Sequence, residues 1–289
     1  MKFRTEIKIT DAPQNLSPER LVVLVGSCFS DYMGARMEAA GWPAAVNPCG
    51  VVYNPVSMAL LFRLALSYRM ERREIVARSL TQREGKWVSW FMGSKAMRDT
   101  AEDCVDAVCE ALDSLEESLE KAETLILTFG TSDVWLLAGS DCAVGNCHKH
   151  PASEFERRRV GVGEIVETWK MILAALQKRN PDLKVILTVS PRRYLADGFA
   201  ENSRQKAVLI LACEALERDA ESVWYFPSYE ILNDDLRDYR FYAADLLHPS
   251  ATAIDYIWEK FCLTFLSPAN RDVLREMEKK ARASRHIPK

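Results

Sequence analysis

The run Leu21-Val22-Val23-Leu24-Val25 places an apolar side chain at every position. Successive side chains of a strand point to opposite faces, so this run needs apolar cover on both sides. A central strand of a sheet held between two layers supplies that cover. Thr124-Leu125-Ile126-Leu127-Thr128-Phe129 and Lys184-Val185-Ile186-Leu187-Thr188-Val189 repeat the pattern, and Val223-Trp224-Tyr225-Phe226 is a shorter fourth run. The intervening segments have helical periodicity at residues 31–40, with Gly41 as a stop, and at 54–69, with Pro55 in the first turn. Further helices are expected at 100–122, 163–179 and 203–220, and from His248-Pro249-Ser250 to about Phe265, with Pro249 in the first turn. Residues 87–91 read as a short strand, and 270–289 as a charged surface helix that frays.

Strands alternating with helices of this length imply an α/β fold: a parallel sheet with right-handed crossovers and helices on both faces. In such sheets a ligand sits beyond the carboxyl ends of the strands. The turns at Gly26-Ser27, Gly130-Thr131-Ser132-Asp133 and Ser190-Pro191 should therefore meet the loop before His248 at one crevice. No linker or repeat interrupts the 289 residues, so a single domain is expected over 1–289, with 266–289 as a C-terminal surface helix or tail. The 38 Lys and Arg against 41 Asp and Glu exclude an overall electrostatic grip on nucleic acid or an anionic membrane surface. No apolar stretch reaches the ~20 residues of a membrane span. The first residues, Met1 to Glu6, carry charge where a signal peptide needs an apolar run, and the eight cysteines are scattered. Both features set the expectation of a cytoplasmic protein with reduced thiols.

Ser27 stands where a buried strand turns into a helix, which suits a nucleophile at the upper edge of a sheet; the alternative is an ordinary helix N-cap. Asp245 precedes His248 by three residues, so its carboxylate can hold one ring nitrogen while the other takes a proton from a serine. The amides of Ser27 and Gly50 are the expected oxyanion donors, and Asn54, Thr131 and Ser132 are candidates for a third. Cys28 could itself be the nucleophile, but adjacent residues leaving a strand point apart, only one can face His248, and Ser27 is preferred. Cys142, Cys147, His148 and His150 could be read as a metal cluster, but no CxxC pair supports it, so no metal or cofactor is expected. Arg157-Arg158-Arg159 reads as a solvated basic run.

Gly26-Ser27-Cys28-Phe29-Ser30 resembles the signature string of the GSCFA family, a relative of the SGNH (GDSL-like) hydrolases. Further matching strings follow in order: 47–55, Gly130-Thr131, Asn146-Cys147-His148-Lys149, Thr188-Val189-Ser190-Pro191, and 238–242 ahead of 245–249. The resemblance implies a three-layer α/β/α sandwich with a mostly parallel sheet, SGNH-hydrolase-like (flavodoxin-like). It also implies a nucleophile at Ser27, a glycine donor at Gly50 and a pair at Asp245 and His248. His148 lies in a matched string, which makes it a candidate for lining the substrate site. Two departures stand out: Gly130-Thr131-Ser132-Asp133 lacks the asparagine that serves as side-chain donor in SGNH enzymes, and Tyr194 stands where a histidine often follows Ser-Pro. The expected activity is serine-dependent hydrolysis of an acyl ester, such as O-acetyl on a carbohydrate-like substrate. The alternatives are an acyltransferase using the same residues and a non-catalytic member that binds such a ligand.

Overall fold

The computed structural model describes residues 4–9, 12, 13 and 15–285; His286, in the tail expected to fray, lies outside the described residues. Five strands form a parallel sheet in the order β10 (Val223–Phe226), β9 (Lys184–Val189), β5 (Thr124–Phe129), β1 (Val22–Gly26) and β2 (Ala44–Val46). Counted along the chain this is the doubly wound order 2-1-3-4-5, whose switch point lies between β1 and β5. Both faces of the three long runs are covered, as their composition requires. Val22, Leu24, Ile126 and Ile186 pack with α1 (Cys28–Ala40) and α8 (Ala251–Phe265), through Phe29, Met33, Ile257 and Phe261. Val23, Val25, Leu125, Leu127, Val185 and Leu187 face the other layer: α2 (Pro55–Ala65), α4 (Ala101–Lys121), α5 (Val162–Arg179) and α6 (Phe199–Arg218).

Several local expectations are corrected. The single helix over 54–69 is two helices, α2 and α3 (Arg69–Arg78), separated at Tyr68, which has extended φ/ψ. The buried Arg72 guanidinium holds that break together by donating to Ala65 O at 2.6 Å and Ser67 O at 3.2 Å, while pairing with Asp113 and Glu116. The strand at 87–91 lies outside the main sheet: β4 (Lys86–Ser89) forms a hairpin with β3 (Leu80–Arg83). The basic run is not freely solvated. It belongs to β8 (Phe155–Arg159), which pairs with β6 (Asp133–Leu137) beside the short β7 (Ala143–Val144). Arg157 pairs there with Asp133 and Asp197, Arg158 with Glu164, and Arg159 with Glu201. Pro249 precedes the helix cap instead of entering the first turn of α8: Ser250 is the N-cap, and Pro249 bridges to Tyr242. The surface helix expected at the C-terminal end is α9 (Pro268–Arg285), which is mostly exposed and anchors through Leu274 in the α1 and α8 core. Among the described residues no helix is long and apolar enough to cross a membrane.

Candidate active site

The β1–α1 turn is built by close approach to β5. Gly26 has φ +149°, and a Cβ there would meet the Thr128 carbonyl oxygen at 2.3 Å. Ser27 follows as the N-cap of α1: its Oγ accepts from Phe29 N at 3.2 Å, its own amide donates to Thr128 O at 3.2 Å, and it is 0% exposed. The Ser27 side chain thus caps α1. Cys28, the first helical residue, is half-buried. Helical spacing puts it on one face with Asp31 and the exposed Tyr32. Burial pushes its thiol above the ordinary range, while the Arg192 and Lys206 cations pull it back. Ser27→Ala removes the cap oxygen and is expected to cost about 1 kcal/mol in chemical denaturation; no change in the midpoint would show that the cap contributes nothing.

Asp245 and His248 do form a pair. Asp245 Oδ1 accepts from the amides of Leu247 and His248 at 3.0 Å each, an Asx turn that Leu246 completes with φ +58°. The other oxygen lies 2.5 Å from His248 Nδ1. An ionised carboxylate only accepts, so Nδ1 carries the proton and Nε2 is left as the base. Hydrogen bonds from the His248 amide and ring hold the Asp245 carboxyl well below the usual carboxylate range. The pair is solvent-accessible, with side-chain exposures of 44% and 25%. Arg193 N donates to Leu247 O at 3.1 Å, stitching this loop to the one that leaves β9. Neither Ser27 nor Cys28 is hydrogen-bonded to His248 in this state.

The expected oxyanion donors are placed differently. The Ser27 amide is engaged by β5, and the Gly50 amide donates to Asn47 O at 2.8 Å. Asn54 caps α2, bonding Ser57 N and Ser57 Oγ at 2.8 and 3.0 Å. The Thr131 hydroxyl donates to Gln205 Oε1 at 2.6 Å, and Ser132 is turned into the core with no partner for its Oγ. His148 is buried with Nε2 at 2.8 Å from Ser89 O, so burial lowers its pKa; its neighbours Asn146 and Cys147 line the cavity instead. Among the described residues no three His, Cys, Asp or Glu side chains gather as a metal group.

Beside the β5 and β9 ends lies a cavity of about 370 Å³, walled by Tyr53, Tyr194 and Trp135 and by the polar groups of Asn146, Gln205, Asp133 and Arg157. Its aromatic wall is ordered by a Tyr53–Tyr194 edge contact at 6.2 Å and by Arg157 over the Trp135 ring at 5.7 Å. The sequence reasoning missed Lys206. This lysine is 1% exposed and donates to Gly130 O and Ser190 O at 2.7 Å each, tying together the two loops that frame the site. Burial pushes its pKa down to about 7. The signal was its phase: with Asn202, Leu209 and Cys213 it shares the buried stripe of α6.

Fold and site together define a doubly wound α/β protein with an Asp–His pair on the loop ahead of α8. The family model for the GSCFA family matches residues 21–261, and the chain belongs to that family. No curated protein matches the sequence. Among solved structures, the chain is distantly similar to a carbohydrate esterase family 3 protein from Talaromyces cellulolyticus. That match has 11% identity, covers 89% of this chain and 99% of that one, and has a TM-score of 0.37. It is also similar to an acetyl esterase mutant crystallised with acetate ion, at 10% identity, 89% and 99% coverage and a TM-score of 0.38.

Proposed function

We propose that this protein is an acyl-ester hydrolase acting on a carbohydrate-like substrate that carries O-acetyl or another short acyl group. The observation that carries the reading is the Asp245–His248 pair: an oriented, accessible imidazole whose Nδ1 is held by a carboxylate, leaving Nε2 as the base. Such a dyad has one evident chemical use, which is to take a proton from an attacking group and return it to a leaving alkoxide. The adjoining cavity supports a sugar-like alcohol portion, because a half-exposed indole flanked by amide and carboxylate groups offers both a stacking face and hydroxyl partners.

The test is release of p-nitrophenol from p-nitrophenyl acetate and of acetate from a panel of acetylated monosaccharides. Turnover of either is expected, and a folded protein that turns over neither overturns the reading. Trp135→Ala is expected to raise KM for the acetylated sugars about 5- to 10-fold, matching one lost aromatic contact, with little change for the nitrophenyl ester. Equal effects on both substrates would remove Trp135 from sugar binding.

A further inference from the structure

We infer that Cys28, and not Ser27, supplies the nucleophile, carrying the acyl group as a thioester with His248 as its base; this rests on the hydrolase reading above. Ser27 is fully enclosed, its oxygen holds the α1 cap and its amide belongs to the β1–β5 ladder, so attack through it would require the turn to come apart. Cys28 sits one residue further on, at the open face of the same helix start. Tyr32, one helical turn after Cys28, has its phenol raised first by burial and then by the Cys28 thiol and the Asp245 carboxylate, so the thiol and the dyad lie on the same side of the helix start. The Arg193–Leu247 bond brings the base loop to the loop that carries Arg192; burial raises the Cys28 thiol, and the Arg192 and Lys206 cations offset part of that rise.

Oxyanion donors are available for that position as they are not for Ser27. The Cys28 amide is the first helical N–H of α1, one of those that no intrahelical carbonyl can serve. The Tyr194 hydroxyl is enclosed against the backbone of Gly130, where a Cβ would come within 2.6 Å of it, and beside the Arg192 guanidinium. A guanidinium only donates, so the phenol proton at the rim of the cavity is left for an oxygen supplied by substrate. In the step itself, His248 Nε2 takes the thiol proton and sulfur bonds to the ester carbonyl carbon. The bond from that carbon to the alcohol oxygen then breaks, and the alcohol leaves with the proton from His248. Water, deprotonated in turn by His248, attacks the thioester; the carbon–sulfur bond breaks, the acid departs and the thiol is restored.

Two readouts on the whole protein test this. The first is a brief incubation with p-nitrophenyl acetate, an acid quench and peptide mapping. One acetyl group on Cys28, removed by neutral hydroxylamine as a thioester is, is the expected result; acetyl on Ser27 overturns the inference while leaving the hydrolase reading intact. The second is the iodoacetamide alkylation rate of Cys28 near neutral pH in wild type and in His248→Gln, with half-buried Cys109 as internal reference. Alkylation of Cys28 alone is expected to slow about 10-fold or more in the variant, because thiolate is the reacting form. Equal rates overturn the inference. A His248-dependent rate without any acetylation would keep Cys28 as the activated nucleophile and fail the ester reading instead.

Discussion

Replacing His248 by alanine is expected to lower kcat/KM for acyl-ester hydrolysis by about 10²–10⁴, the usual contribution of a positioned general base, while the thermal midpoint stays close to that of wild type. The fold should tolerate the change because the imidazole is a surface group of a loop whose turn is held by backbone bonds: Ala243 N to His248 O at 2.8 Å and Leu246 N to Ala243 O at 2.9 Å. Activity at the wild-type level would remove His248 from the mechanism. Asp245→Asn should also lower activity, because its amide no longer fixes the tautomer that leaves Nε2 free. The linked stability effect has a definite sign. The folded Asp245 carboxyl titrates below its unfolded value, so its stabilisation is fully present above the unfolded value of about 3.9 and is lost as pH falls through the folded one. The difference in melting temperature between wild type and Asp245→Asn should therefore be constant near neutrality and shrink in strong acid.

Gly26→Ala is expected to be among the most damaging small substitutions in the chain, costing more than about 4 kcal/mol and leaving little soluble protein. Its Cβ would lie 2.3 Å from the Thr128 carbonyl oxygen and 2.8 Å from Thr128 Cβ, at a φ of +149°. Both partners belong to a strand buried on two faces, so neither can move aside. Gly163→Ala is the contrast: it lies in α5 with nothing within 4 Å of a built Cβ, and is expected to be neutral or stabilising by about 0.5–1 kcal/mol. Similar melting temperatures for the two variants would show that the β1–β5 approach is not tight.

The strands were legible because their pattern is local. Thr124–Phe129, Lys184–Val189 and Val223–Phe226 are strands over the residues their apolar runs predict. The long helices α4 and α5 agree within a residue or two, since one apolar stripe each sets their phase. The small sheet around β6 and β8 was not legible. Its arginines look like solvent-seeking residues until Asp133, Asp197, Glu164 and Glu201, brought from other elements, are placed against them. The break after α2 was hidden for the same reason, because Arg72 satisfies the carbonyl groups there from the next helix.

By itself the sequence determined a parallel α/β sheet, the crevice at its carboxyl edge and the Asp245–His248 pair, because two-faced strands and a three-residue Asx spacing are properties of adjacent residues. Only the tertiary structure decided that the Ser27 side chain is enclosed while Cys28, one residue on, stays half-buried. The rotation of α1 about its axis is set by Thr128 on β5, which takes the Ser27 amide and the Ser30 hydroxyl, the latter at 2.9 Å. With Ser27 turned inward as the cap, Cys28 becomes the first residue of the helix. That choice depends on contacts about a hundred residues away along the chain, where no local periodicity can register it.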